Sequence, residues 1–360
     1  MIKLSIIVTF YNNSKYIENC INTFNSIDSK NIEIIIIDDG SREDESKRLE
    51  KNINVLNKKN LKLMRNEENK GAGYSKNRAI SVAKGEYIIF LDCDDYVSED
   101  YYISILKAIE ETKADVIVTD IYTKVDSDLY EESLFETSII KDKIKPIKSN
   151  IYEVDKRVIL GNKYSASSCN KAIKREYFFE FKFYENKCDD LTAIIPILCT
   201  ADTIIYVKNI AYYYCQTANS ITRQTKNKKR QENIIDSIDS LFKTYEILKQ
   251  EGIIESCIEI FYANNVIPFI FFSILNADYI TCTKCLKYLI NKIDKENFAD
   301  YLIIRNPYLF RLTYLNYYYV NLYKMISKKR YINLVLKIFN DRIKYRINLL
   351  IGGRNDIPKL

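Results

Sequence analysis

GEYIIFLDCDDYVSED, residues 85–100, runs an apolar stretch straight into three carboxylates. Residues 86–92 have the length and composition of a strand buried on both faces, because its apolar residues do not alternate with polar ones. Asp92, Asp94 and Asp95 then crowd four positions at its end. Carboxylates this close repel one another, and each loses hydration if covered. A divalent ion relieves both penalties, and clustered carboxylate oxygens are hard donors suited to Mg²⁺ or Mn²⁺. Such an ion commonly holds phosphates as well, so a nucleoside diphosphate is the expected guest.

Working outward, the first hundred residues alternate two periods. Strand-like runs at 3–10, 32–38 and 61–65 precede the one above, and helical spacing marks 14–27, 43–57 and 71–84. A further helix is expected at 99–111 and a strand at 114–122. Apolar strands alternating with helices predict an α/β fold, a mostly parallel sheet covered on both faces. In such sheets ligands bind beyond the carboxyl ends of the strands. Three loops meet there. TFYNN brings Thr9, Tyr11 and Asn12, which offer a hydroxyl, an aromatic face and an amide. DDGSRED brings Asp38 and Asp39 before Gly40, which permits a tight turn. The acidic trio is the third.

Composition narrows the chemistry. The 360 residues contain no histidine, which removes Ser-His-Asp hydrolases, HExxH metalloproteases and imidazole bases together. Proton transfer must then rest on carboxylates, or less often on Lys, Tyr or Cys. The nine cysteines are irregularly spaced, and MIKLSIIVTFYNN reads as a first strand rather than a leader, so free thiols in a cytoplasmic protein are expected. The lone CxxC at Cys282 and Cys285 reads as packing. The tyrosine clusters AYYYC (211–215) and LNYYYVNLY (315–323) read as amphipathic packing and surface.

SIIVTFYNNSKYIENCINTF, IIIIDDGSRED, NKGAGYSKNRAI, GEYIIFLDCDDYV, SCNKAIKREYF and NSIT follow one another in that order over residues 3–222. In these motifs the chain resembles the family 2 glycosyltransferases, inverting enzymes with the nucleotide-sugar-binding GT-A fold. It implies that Thr9 and Tyr11 frame the donor's base, Asp39 hydrogen-bonds it, and Asp92 contacts the ribose. It implies that Asp94 binds the metal bridging the two phosphates, with Asp95 supporting that metal or facing the acceptor. Where the family has Ala-Arg-Asn, this chain has Ser75-Lys76-Asn77, so Lys76 is the expected phosphate cation, a point charge rather than a bidentate fork. The family's base precedes an apolar helix in the second half, and ENKCDDLTAIIPIL (185–198) fits, with Asp190 as base and Asp189 beside it. Asn170 and Lys171 are expected near the acceptor. The Trp often found before that pair is here Cys169.

These readings divide the chain into a GT-A domain over 1–222 and a helical region over 226–360. In the first, 1–102 is the nucleotide-sugar half and 103–222 the acceptor and base half, with a polar excursion at 124–150. The expected activity is metal-dependent, inverting transfer from a nucleoside diphosphate sugar, UDP-sugar favoured, to a glycan or lipid-linked acceptor in bacterial surface polysaccharide synthesis. A non-catalytic sugar-nucleotide- or glycan-binding scaffold is the alternative. The segment 321–360 holds ten Lys or Arg against Asp341 and Asp356, more than the whole chain's net +6. Its amphipathic stretch 321–350 is a candidate for contact with the inner membrane face. With basic residues confined to the tail, nucleic acid is not an expected partner. An oligomer is compatible with the helical region.

Overall fold

A computed structural model of the chain describes residues 2–253, except 26, 28–29, 57, 126–127, 131–143, 149, 161–164, 186–189 and 217–226. Beyond these it describes Thr281, Lys284, Cys285 and Tyr288. Strands and helices alternate as the periods predict: β1 (Leu4–Phe10), α1 (Ile17–Asn22), β2 (Ile32–Asp38), α2 (Glu43–Leu56), β3 (Leu61–Arg65), α3 (Ala72–Val82) and β4 (Tyr87–Asp92). A two-residue strand β5 (Tyr96–Val97) follows, then α4 (Tyr101–Thr112) and β6 (Val116–Val125). Next come β7 (Asp128–Tyr130), β8 (Ile144–Lys148), β9 (Ile151–Val154), α5 (Lys156–Leu160), β10 (Lys171–Lys174) and α6 (Tyr177–Glu180). The described elements close with α7 (Asp190–Thr200), β11 (Ile204–Gln216) and α8 (Asn227–Gln250).

The strand order is β3-β2-β1-β4-β10-β6-β11-β9-β8, with β5 against β11 and β7 against β6. β1, β2, β3 and β4 pair in parallel, as the apolar runs require. Ile6, Ile7, Val8, Ile34, Ile36, Ile88 and Ile89 are at or near zero exposure. Each such side chain contributes roughly 1.5–3 kcal/mol of burial. The second half departs from the expected pattern, because β10 enters antiparallel between β4 and β6, making the sheet mixed. β11 runs through two apolar stretches, IIYV (204–207) and IAYYYC (210–215), as one strand. Its ladder to β6 shifts between Val207 and Ala211, and Asn209 sits at φ 68 inside that bulge. Asp120 holds the bulge, accepting from the Asn209 backbone N–H at 3.1 Å and from the Tyr206 hydroxyl at 2.6 Å.

Two polar staples lock the amino-terminal edge of the sheet. Ser5, fully buried, donates to Glu33 at 2.5 Å and accepts from the Gly85 N–H at 2.8 Å. A Cβ at Gly85 would lie 2.5 Å from the Ser5 backbone nitrogen, so this approach needs glycine. Asp115 is the second staple: one oxygen meets Lys174 at 2.7 Å, and the other accepts from Asp202 N–H, Thr203 N–H and Thr203 hydroxyl at 2.9–3.0 Å. It joins the starts of β6 and β11 to the end of β10.

Residues Met1–Thr281 form one compact unit and Cys282–Leu360 a second. Helix α8 belongs to the first unit and packs on α7, whose Ala193–Cys199 are buried. The expected boundary at 222–226, most of the polar excursion and the basic stretch 321–350 lie outside the described residues. Among the described residues, no helix is long and apolar enough to cross a membrane.

Candidate active site

The loops leaving β1, β2 and β4 meet at the carboxyl edge of the sheet. Asn12 takes a left-handed φ of 47, which a short amide tolerates. Its backbone N–H donates to Ser41 Oγ at 2.9 Å, and its side-chain oxygen accepts from the Arg42 N–H at 2.9 Å, tying the first loop to the second. Thr9 is half-buried near the end of β1, and Tyr11 is 49% exposed. Asp38 braces the second loop, accepting from the Ser41 N–H and the Ser46 hydroxyl.

Asp39 turns the other way. It is 3% exposed and accepts from the Asn66 amide at 2.6 Å, the Lys70 N–H at 3.0 Å and the Gly71 N–H at 2.8 Å. The residue expected to meet the base thus also organises the loop between β3 and α3. Gly40 makes the crossing feasible: its φ is +67, and a Cβ there would lie 2.3 Å from the carbonyl carbon of Glu68. Asn66 escaped the sequence reading, although the carboxyl-end rule applied to β3 would have found it. It donates to both Asp39 and Ser75, at 2.6 and 2.8 Å.

The acidic trio divides its labour. Asp95 has no exposure, and both its oxygens are engaged, one by the Tyr212 hydroxyl at 2.5 Å and one by the Cys215 N–H at 2.7 Å. The expectation of a metal ligand meets a different geometry, a carboxyl that braces the β4–β5 turn against β11. Burial pushes the Asp95 carboxyl well up, and the neighbouring Asp92 and Asp94 charges add to the rise. Asp92 and Asp94 are half-buried. Burial raises Asp92, Lys76 pulls it back and Asp190 raises it again. Asp94 is pushed up to about 6 by burial first and the Asp92 charge second, while its own backbone N–H and Asn13 pull it down.

Ligand atoms of Asp92, Asp95 and Cys169 lie within 4.8 Å of one another. Cys169 donates to Asp92 at 3.4 Å, and burial holds its thiol well above the usual range. A protonated soft sulfur does not suit a hard cation. The fit to Mg²⁺ or Mn²⁺ therefore rests on the hard carboxylate oxygens of Asp92 and Asp94, which are half-buried at and just beyond the end of β4.

Opposite them stands Asp190, the first residue of α7. One oxygen meets Lys76 Nζ at 2.7 Å and the other accepts from the Ser168 N–H at 2.9 Å. Lys76 side chain is 6% exposed against 28% for Asp190. Its ammonium also donates to Ser168 Oγ at 3.2 Å and lies 4.9 and 5.7 Å from the Phe183 and Phe90 rings. Expected as a phosphate cation, Lys76 instead has its charge against the base candidate. Asp189 lies outside the described residues. Ser168 went unnoticed in the sequence, where a serine carries no such signal.

Asn170 and Lys171, expected at the acceptor, are 0% and 1% exposed. Asn170, at φ 54, donates to Thr119 O at 2.7 Å. Lys171 donates to Ser167 O at 2.8 Å and Asn170 Oδ1 at 3.1 Å, and burial pushes it down to about 8. Their position inside the fold corrects the acceptor assignment: they hold the segment 165–170 that presents Ser168 and Cys169.

A mixed sheet with acids at the end of β4, facing an acid at the start of a buried helix, defines a GT-A-type transferase site. The family model described as Glycosyl transferase family 2 matches residues 5–182. The chain belongs to that family and is a glycosyltransferase by its membership. It is 28% identical over 225 residues to Glycosyltransferase GlyG of Streptococcus pneumoniae serotype 4, covering 61% of this chain and 73% of that protein. It is 30% identical over 151 residues to the poly(ribitol-phosphate) beta-N-acetylglucosaminyltransferase TarS of Staphylococcus aureus, covering 40% of this chain and 26% of TarS. The crystal structure of S. aureus TarS 1–349 in complex with UDP-GlcNAc shares the fold, with TM-score 0.51 and 22% identity over 81% of this chain and 72% of that one.

Proposed function

We propose that this chain is a metal-dependent, inverting glycosyltransferase that moves a hexose or N-acetylhexosamine from a UDP-sugar to a glycan or lipid-linked acceptor in bacterial surface polysaccharide synthesis. One observation carries the reading: Asp190 is held at a fixed orientation by Lys76 and Ser168 within electrostatic reach of Asp92. The relatives' names and the UDP-GlcNAc complex of TarS support the donor class.

In this reading the acceptor hydroxyl loses its proton to the Asp190 carboxylate as its oxygen bonds to the anomeric carbon. The bond from that carbon to the diphosphate breaks on the opposite face, so the configuration inverts without a covalent intermediate. Lys76 and Ser168 keep Asp190 aimed, which converts part of the barrier into prepaid orientation. Asp92 and Asp94 would hold Mg²⁺ or Mn²⁺, which neutralises charge on the departing diphosphate when bound. In the same reading Tyr11 and Thr9 would frame the base, with Asp39, Asn12 and Gly40 shaping that wall.

The test is release of UDP from UDP-GlcNAc and related donors, with and without Mn²⁺ and acceptor glycans. Asp190→Asn should lose about 10²–10⁴ in rate while retaining UDP-induced thermal stabilisation. Asp94→Ala should lose both turnover and Mn²⁺ dependence. Stabilisation by the donor without turnover in any variant would leave only a sugar-nucleotide-binding scaffold. For the tail, flotation of the full chain with anionic liposomes tests placement at the cytoplasmic membrane face, and equal flotation after removal of 321–360 rejects it.

A further inference from the structure

Tyr212 and Tyr213 occupy successive positions of β11, so they point to opposite faces of the sheet. Tyr212 reaches inward to Asp95. Tyr213 lies in register with Tyr96 on β5 and Tyr122 on β6, and the three rings form a ladder. Tyr96 and Tyr213 stack at 4.6 Å and 15°, and Tyr213 and Tyr122 at 5.7 Å and 25°. The AYYYC segment expected to serve packing thus supplies the middle of an aromatic ladder, its Tyr213 pointing to the opposite side of β11 from Tyr212 and Asp95.

Tyr96 at the end of this ladder forms one wall of a cleft of about 530 Å³. That volume falls within the ~300–1,000 Å³ of ligand-sized clefts. The other wall is α1 and the turn after it, which present Asn19, Asn22 and Asn25; Glu99 and Lys124 complete the rim. The three asparagines are exposed, and none of their side-chain amides is hydrogen-bonded among the described residues. Asparagine is a poor helix former, and α1 is six residues long without a side-chain cap. Two asparagines inside so short a helix and a third just beyond it work against local stability, a pattern that marks function more often than folding.

We propose that this cleft is a carbohydrate-binding subsite for a neutral oligosaccharide, distinct from the donor crevice. A primary amide offers two donors and an acceptor in a plane, which matches neighbouring sugar hydroxyls, and a row of them matches successive rings. Tyr96, held in place by its stacking on Tyr213, offers an aromatic surface at little conformational cost. Lys124, whose ammonium lies 5.4 Å from the Tyr96 ring, is balanced by Glu99, so the cleft has no charge surplus to draw a polyanion. The strand bearing Tyr96 leaves the acid turn directly, so a chain held here is tethered close to the reacting edge. The choice of ligand rests on the glycosyl-transfer reading above.

Saturation-transfer NMR on the full-length protein, with hexasaccharides of glucose, galactose and N-acetylglucosamine and with poly(glycerol phosphate) as the anionic probe, decides it. At least one neutral hexasaccharide should bind, and Asn22→Ala/Asn25→Ala should weaken it tenfold or more. Lys124→Gln, whose charge does not enter a neutral ligand's recognition, should bind within threefold of the parent. Donor hydrolysis should stay unchanged in the asparagine variant. No neutral binding, binding that survives the asparagine double substitution, or binding of the anionic probe alone overturns the proposal. Absent donor hydrolysis alongside asparagine-dependent sugar binding would instead sink the transferase reading and leave the subsite standing.

Discussion

Removing the Tyr212 hydroxyl, and nothing else, should cost this protein a measurable part of its stability. Tyr212→Phe keeps the ring, so it opens no cavity. It deletes a 2.5 Å hydrogen bond to Asp95, a carboxyl without exposure, and also the acceptor for the Asp92 N–H at 3.2 Å. A buried polar atom left without its partner costs about 1–3 kcal/mol. The shortness of the contact and the second lost bond place this case at about 2–3 kcal/mol. At roughly 2 °C per kcal/mol for a domain of this size, the melting temperature should fall by about 4–6 °C. The assay is thermal and urea unfolding without nucleotide or metal, followed by a double-mutant cycle with Asp95→Asn. The coupling should reach at least about 1 kcal/mol, as for side chains in one buried network. A Tyr212→Phe protein within about 0.5 kcal/mol of the parent, or strict additivity in the cycle, refutes the assignment of Asp95 as a brace.

Lys76→Met keeps an unbranched chain against Phe90 and Phe183 but leaves Asp190 without its cation, so transfer should drop by about 10² with UDP-induced stabilisation preserved. An undiminished rate would remove Lys76 from the positioning of the base. Asp115 is raised by its burial but lowered by more through Lys174 and the Thr203 donors, so its carboxyl titrates below the ordinary aspartate range. A depressed carboxyl stabilises above its unfolded pKa, so the stability gap between the parent and Asp115→Asn should be constant above about pH 5 and close as pH falls through the lowered folded value. A gap independent of pH down to strongly acidic conditions contradicts that staple. Gly40→Ala should destabilise by more than about 1 kcal/mol in urea, through its φ of +67 and the 2.3 Å approach to Glu68. A neutral effect would mean that the two loops do not cross so closely.

The parallel half of the fold was readable because each strand is an uninterrupted apolar run and each helix a periodic one, so β1–β4 fall within a residue or so of their expected bounds. The acids were readable for the same reason: they stop those runs abruptly. Orientation was not. Asp92, Asp94 and Asp95 look alike in a string of letters, and only the pairing of β5 with β11, over a hundred residues away, turns Asp95 inward. The Lys76–Asp190 pair has the same origin, since its partners are separated by 114 positions. Asn170 and Lys171 carry polar side chains that composition would place at a surface, yet Thr119 and Ser167 supply partners inside. Only three-dimensional partners decide whether a polar group is buried. The β11 bulge was hidden because Asn209 and its neighbours resemble a turn between two strands.

The antiparallel wedge of β10 sets a timetable for folding during synthesis. The parallel block of β1–β4 can assemble once Asp92 has left the ribosome, but the strand that covers the open edge of β4 begins at Lys171. At about 5–20 residues per second, that edge stands bare for several seconds, one of the most apolar ladders in the chain and a template for pairing with another nascent copy. Truncations ending between residues 100 and 165 should accordingly aggregate, whereas one ending after α8, which keeps β10 against β4 and β11 against β6, should remain dispersed.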